Sequence, residues 1–400
     1  MKSAEEMLRE AVVAYQAGHM ATAEVGYRRV LRRRPNDHLA LSGLALLSFH
    51  AGAKQQAIEY LVQSLASEPK IGLTWNFLGT LYLWTGRPTE AKAAFRRATE
   101  LSPEFAESWC NLAGCMRDEG DFHGAEEQLR RALTCPGPQS RAYEALTNLL
   151  HNRGQSQEAL QTVVEWLAHE PTSPIARHMA AALSTQEPPS RASDEYVRTY
   201  FDAFADAFDS VLGRLNYRAP ELVARALRAA ASRTSVLAFS AVLDAGCGTG
   251  LCGPLVRELC GSLVGVDLSP KMLHYAKQRG CYDELVAAEL GDFMRSRPQA
   301  FDAILCADTL VYFGALAEPL AAAHEALRRG GPLVFTVEAS VEPDAADHRL
   351  SVTGRYVHSE SYLRRTLRES GFVVESIALQ TLRKEAARDV AGYLVTGRRS

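Results

Sequence analysis

Apolar and small positions along the chain follow two different rules. In the first 185 residues they keep a period of 34. Glycines stand at Gly18, Gly52, Gly86, Gly120 and Gly154, and alanines at Ala23, Ala57, Ala91, Ala125 and Ala159. Prolines follow at Pro35, Pro69, Pro103 and Pro171, with Gly137 beside Pro136 in the fourth place. Three registers sharing one period without an insertion identify an internal repeat, one helix–turn–helix unit per period. Residues 4–171 hold five such units. Ile175, Met179, Ala182 and Leu183 then predict a capping helix within 172–185 that covers the last open face.

Gln186-Glu187-Pro188-Pro189-Ser190-Arg191-Ala192-Ser193 breaks both helix and strand patterns and reads as a linker. After it, Tyr196, Val197, Tyr200, Phe201, Phe204, Phe208 and Val211 fall three or four apart, which predicts helix. Pro220 opens a second helix through Leu222, Val223 and Leu227. The period then changes. Short apolar runs at 241–245, 263–266, 285–288, 303–306 and 333–337 alternate with amphipathic stretches. That alternation predicts parallel strands with helices on both faces. Residues 373–380 and 392–396 have no crossover helix between them and should finish the sheet antiparallel. The expected organisation is an all-α solenoid over 1–185, a linker over 186–193, and an α/β doubly wound, Rossmann-like domain over 194–400.

Composition narrows the function. Hydrophobic residues make up 47% and charged residues 23% of the 400, the balance of a soluble globular chain rather than a disordered one. No apolar run approaches a membrane span, and the acidic start Met1-Lys2-Ser3-Ala4-Glu5-Glu6 has no signal-peptide core, so a cytoplasmic protein is expected. Net charge is -3, divided as -1 over 1–185 and -2 over 186–400. Neither half has the basic surplus that phosphate neutralisation requires, which argues against a nucleic-acid partner. The eight cysteines form no CxxC pair and accompany no histidines at ligand spacing. They read as buried small residues in a reducing compartment, without disulfide or metal.

The best repeat copy is Trp75, Leu78, Gly79, Tyr82, Gly86, Ala91, Phe95, Ala98 and Pro103, and it resembles the tetratricopeptide repeat. Gly79 and Ala91 let two antiparallel helices approach, Trp75, Tyr82 and Phe95 fill the space around them, and Gly86 suits the turn. The inner helices of such a stack line a groove, here with Leu8, Val12, Tyr15, Leu39, Leu46, Phe49 and Leu73. An apolar groove of this kind suits protein–protein contact, and a homodimer is the expected form.

Chemistry concentrates in Val242-Leu243-Asp244-Ala245-Gly246-Cys247-Gly248-Thr249-Gly250: an apolar strand, an acid, then alternating glycines before a helix. The next strand ends in Asp267, able to accept from two ribose hydroxyls. Gly248 to Gly253 also satisfies the dinucleotide pattern GxGxxG, so a nicotinamide enzyme competes at this point. Asp244 opening a GxGxG turn resembles class I S-adenosylmethionine-dependent methyltransferases. That resemblance implies S-adenosylmethionine as cofactor, with the Gly246, Cys247, Gly248 and Gly250 turn passing its methionine part. Asp244 would face the amino group, Asp267 the ribose, and Leu268 and Met272 the two faces of adenine. Glu289 and Leu290 would meet the adenine edge, with Asp292-Phe293 as a rival pair, and Ala307 would complete the set.

The two halves together resemble bacterial predicted methyltransferases carrying tetratricopeptide repeats. The likeness includes Phe201-Asp202, Phe204-Ala205-Asp206, Phe208-Asp209, Tyr217-Arg218 and Gly354-Arg355-Tyr356-Val357-His358-Ser359. It implies Phe204 and Phe208 as lid residues, Arg218 as a cofactor or substrate contact, and Tyr312 or His358 as a general base. The methyl acceptor is open between a small molecule or carrier-bound acid and a protein held by the repeats. A non-catalytic scaffold that only binds cofactor is the third reading.

Overall fold

The computed structural model describes residues 2–184, 187–231, 239–340, 346–385 and 388–400; Met1, Thr185 and Gln186 of the expected repeat region and linker lie outside the described residues. The chain divides into two compact units, Met1–Glu158 and Ala159–Ser400.

The first unit is a run of antiparallel helix pairs: α1 Ala4–Gln16 with α2 Met20–Arg33, α3 His38–His50 with α4 Lys54–Ser67, α5 Gly72–Trp84 with α6 Pro88–Leu101, α7 Ala106–Asp118 with α8 Phe122–Ala132, then α9 Ser140–Asn152. Helix α10, Ser156–His169, contains the boundary between the units. The periodic alanines Ala23, Ala57, Ala91 and Ala125 are all fully buried. Gly79 faces the ring of Phe95, where a Cβ would come within 2.6 Å of the ring edge, so only glycine permits this approach. Gly86 takes φ 75° at the turn, the left-handed region that glycine enters without strain. The repeat also carries an interlock that the spacing did not announce. Trp75 Nε1 donates to Pro69 O (2.9 Å), and Trp109 Nε1 donates to Pro103 O (2.8 Å), pinning each first helix to the turn before it.

The expected groove is only partly apolar and open. Leu39 and Leu73 are about half exposed (52% and 55%). Phe49 instead packs among Phe77 and Trp84, and Tyr15 Oη hydrogen-bonds His50 Nε2 (2.9 Å).

The second unit holds α11 Pro174–Leu183, α12 Asp194–Phe204, α13 Phe208–Arg214 and α14 Ala219–Ala231 ahead of a sheet with nine strands among the described residues. The strands are β1 Phe239–Ala245, β2 Cys260–Asp267, β3 Glu284–Ala287, β4 Ala303–Cys306, β5 Pro332–Ala339, β6 His348–Leu350, β7 Tyr356–His358, β8 Phe372–Glu385 and β9 Arg388–Arg399. Strands β3-β2-β1-β4-β5 run parallel in that order, and β9 lies antiparallel on β5, with β8 outside it. This matches the doubly wound expectation with its antiparallel finish. The β6–β7 hairpin, which joins the end of β5, had no signal in the apolar runs.

Period-two alternation puts Leu243, Val264, Ile304 and Phe335 into one core layer and Val242, Leu263, Leu305 and Val334 into the other. Helix α14 covers the second layer through Leu222, Val223 and Leu227. Helix α11 belongs to this unit: the His178 ring stacks on Tyr196 (centroids 3.9 Å apart), and its Nε2 bonds Gly354 O. Residues 189–192 are strapped along the same unit. Pro189 O accepts from Tyr356 Oη, Ser190 O from the amides of Gly314 and Ala315, and Ala192 N donates to Tyr312 O.

Candidate active site

A cavity of about 260 Å³ opens at the C-terminal ends of β1, β2, β3 and β4. Strand β1 pairs with β2 on one side and β4 on the other, so the connections diverge here and leave the crevice in which doubly wound folds bind ligands. One wall is Gly246, Gly248, Asp267, Leu268, Glu289 and Leu290; Ala307, Asp308 and Tyr312 follow β4. Helices α12 and α13 roof it with Phe201, Phe204 and Phe208, the last two packed edge-on at 5.4 Å. Of the sixteen site residues expected from the sequence, ten line this cavity and six stand back from it.

The glycine turn is built by backbone bonds and close approach. The amides of Gly246 and Cys247 both donate to Val266 O (2.9 Å each). A Cβ on Gly246, at φ 76°, would collide with Thr309. At Gly248 a Cβ would meet nothing within 4 Å, because the backbone there faces open space. Asp267 Oδ2 accepts from Gly248 N (2.9 Å) and Oδ1 from Ser269 N (2.9 Å). Burial raises the Asp267 carboxyl, opposed by those two amides. Each oxygen keeps a lone pair for a hydroxyl donor. This edge fits the ribose of a nucleoside cofactor, and the open face of Gly248 beside it leaves room for the chain that continues from the ribose.

Glu289 caps the helix Leu290–Arg295 through Asp292 N (2.8 Å) and keeps its other oxygen 3.5 Å from Arg191 Nη1. Asp292 lies within that helix rather than in the cavity lining.

Other expected residues stand back from the cavity. Asp244 is 1% exposed; its Oδ2 accepts from Tyr282 Oη (2.6 Å), while Oδ1 has no partner among the described residues. Burial pushes this carboxyl up to about 7, with the Tyr282 bond opposing and Asp267 reinforcing. Gly250 and Cys247 pack toward Tyr282 and β2, and Met272 is wholly buried. Arg218 is exposed, tied by its amide to Leu382 O (2.8 Å) at the start of α14.

Tyr312 and His358 part company. Tyr312 lines the cavity, and burial raises its phenol despite the nearby Arg355, so it stays protonated. His358 is fully buried away from the lining, where Nε2 bonds both Phe313 O (2.9 Å) and Gly314 O (3.2 Å). Two carbonyl partners require a proton on Nε2, and burial pushes the ring down to about 4. Its position ties β7 to the segment after β4.

Two groups were missed by sequence reasoning. The first explains the spacing of acids in the 201–209 motif. Asp202 accepts from Ser269 Oγ (2.5 Å), Asp206 from Lys271 Nζ and Tyr275 Oη (2.8 Å each), and Asp209 from Thr249 Oγ1 and Arg279 Nη2 (2.6 Å each). The phenylalanines of the motif belong to the roof while the aspartates fasten it to the turn after β1 and to the helix Pro270–Gln278 with its ends after β2. A signal existed in the sequence: acids at i, i+4 and i+7 alternate with phenylalanines, and the structure spreads them over α12, the turn after it and α13.

The second is a buried ion cluster. Arg383, 2% exposed, meets Asp308 Oδ2 (3.0 Å), Glu385 Oε1 (2.7 Å) and Glu338. A register shift in β8 between Thr381 and Arg383 places consecutive residues Leu382 and Arg383 both inside, which a regular strand would not do. Asp308 sits at φ 53°, a left-handed conformation held by Thr336 Oγ1 on its amide (2.9 Å) and carboxylate (3.1 Å). Arg355 adjoins the cluster and the cavity.

Comparison with known proteins agrees with this geometry. Residues 243–335 match a methyltransferase domain model, and residues 8–69 and 78–145 match a tetratricopeptide repeat model. The ubiquinone biosynthesis O-methyltransferase of Thiobacillus denitrificans is 29% identical over 191 residues, 41% of this chain and 80% of that protein. Protein FlbA of Caulobacter vibrioides is 28% identical over 104 residues, 26% of this chain, which spans only 17% of its length. Among solved structures, the magnesium protoporphyrin IX methyltransferase of Synechocystis superposes with a TM-score of 0.39 at 17% identity, covering 52% of this chain and 99% of that one. With both family models matched in this order, the chain carries tetratricopeptide repeats followed by a class I methyltransferase domain.

Proposed function

We propose that the protein methylates a small-molecule or carrier-bound acceptor beneath the aromatic roof, using S-adenosylmethionine held along the Gly246–Gly248 turn. The observation that carries this reading is a single cavity joining Gly248, Asp267 and Glu289 to a compartment lined by Phe201, Phe204, Phe208 and Tyr312. When bound, the cofactor supplies a methyl group that is already electrophilic, so the protein's task is chiefly positioning. Asp267 would hold the ribose hydroxyls, and Glu289 and Leu290 would meet the adenine edge. The phenylalanines exclude water, and Tyr312 donates its phenolic proton to orient the acceptor.

Calorimetry should give micromolar dissociation constants, about -8 kcal/mol, for S-adenosylmethionine and S-adenosylhomocysteine, and no heat with NAD. Binding of NAD alone would overturn the assignment.

The repeats are proposed to serve association, as a homodimer or as a dock for a protein partner. Half-exposed Leu39 and Leu73 on successive first helices support this role. Light scattering at about 10 μM should report a dimer that dissociates on Leu39→Glu plus Leu73→Glu. A monomeric wild type would leave only partner docking, including the reading in which the substrate is itself a protein.

A further inference from the structure

Resting on the methyltransferase reading, we propose that the acceptor is a carboxylic acid with an apolar body, anchored through its carboxylate by Arg355 with Tyr312 and Tyr217 beside it. Hydrogen-bond capacity on the inner wall of the cavity is the reason. Arg355 reaches Glu338 (3.4 Å) and Glu385 (3.0 Å) through Nη1 and shares a hydrogen bond with the Tyr312 phenol, so part of its donor fork stays uncommitted among the described residues. A guanidinium has five N–H donors in a planar fork that matches a carboxylate. Tyr312 and Tyr217 line the same end, and burial raises both phenols, so each keeps a proton to donate.

The acids there are already engaged. Asp308 offers Oδ1 to Thr336 and Oδ2 to Arg383, and Glu338 is shared by the two arginines. Asp308 and Glu338, with side chains 14% and 9% exposed, balance the two guanidinium charges. The third acid, Glu385, is 34% exposed and screened by water. The wall therefore presents donors in excess of acceptors, without a buried surplus of negative charge. Beside it, Phe201, edge-on to Tyr312 at 5.5 Å, leads to Phe204 and Phe208, and these rings suit an aromatic or aliphatic body rather than a second charge.

The test uses the full chain saturated with S-adenosylhomocysteine and three matched probes: trans-cinnamate, its amide, and cinnamylammonium. Binding is followed by saturation-transfer NMR and calorimetry. Cinnamate should bind at least about tenfold more tightly than the amide, the range of one charge-assisted hydrogen bond. Arg355→Gln should abolish that preference, and Arg355→Lys should retain part of it. Because Arg355→Gln removes one positive charge from the cluster while Glu385 keeps its bond to Arg383, Arg355→Gln with Glu385→Gln serves as the charge-matched variant and should lose the preference equally. S-adenosylhomocysteine affinity, unchanged in all three variants, shows that the fold persists. Equal affinity for acid and amide overturns the proposal, as does tightest binding by cinnamylammonium, a preference surviving in the charge-matched variant, or no cinnamate binding at about 10 mM, where even a millimolar site is nearly filled. Failure of the wild type to bind S-adenosylhomocysteine would instead strike the methyltransferase reading itself.

Discussion

Asp267→Ala is expected to weaken S-adenosylhomocysteine binding by roughly 2–3 kcal/mol, about a 30- to 150-fold rise in Kd by calorimetry. The residue has two tasks. Its carboxylate is the acceptor pair expected to meet the ribose, and each charged hydrogen bond to a ligand is worth about 1.5–3 kcal/mol before water competes. It also holds Gly248 N and Ser269 N, so its loss frees two loops at the cavity wall. Asp267→Asn keeps one acceptor oxygen and should fall between wild type and alanine. A change below about threefold in the alanine variant would mean that the cofactor lies elsewhere, since no compensating carboxylate lines that edge except Glu289.

The largest stability effect is expected at Arg383. Arg383→Met should cost about 3–5 kcal/mol, because it leaves Asp308 and Glu338 buried without their shared counter-charge. Urea unfolding followed by near-ultraviolet circular dichroism should show the lowered midpoint, in the transition that also removes S-adenosylhomocysteine binding. The deficit should shrink toward acid. Burial already raises the Asp308 carboxyl, and removing Arg383, which lowers it, raises it further. A carboxyl raised in the folded state is stabilising in its protonated form and loses that contribution as pH rises through the folded value. The variant should therefore approach wild type below about pH 4 and diverge above it. Adding Asp308→Asn and Glu338→Gln should recover most of the loss. A pH-independent deficit, unrelieved by those changes, would point to lost packing of the long side chain rather than to stranded charge.

The sequence by itself determined whatever is local or periodic. A 34-residue spacing of glycine and alanine suffices for helix pairs, because close approach at Gly79 and Ala91 and the turn at Gly86 are properties of one unit and its neighbour. Apolar runs of four or five residues suffice for the parallel strands, and the acid after the second strand suffices for Asp267, since strand ends of a doubly wound sheet converge on one edge. Side-chain direction was not local. Tyr312 and His358 looked equivalent as bases, yet the β6–β7 hairpin buries His358 against two carbonyls while the turn after β4 leaves Tyr312 at the cavity. Asp244 is placed correctly along the chain, but Tyr282, 38 residues later, closes over its carboxylate. The ion cluster was illegible for the same reason. Arg355 and Arg383 stand in different elements, 47 and 75 residues beyond Asp308, and ordinary arginines read as surface residues. Only the antiparallel return of β9 beside β5, which carries β8 along its outer side, and the bulge that turns Arg383 to the interior set those charges against Asp308. Chain-local patterns encode the elements and their order, whereas a buried charge is decided by the partners that folding brings within a few ångströms of it.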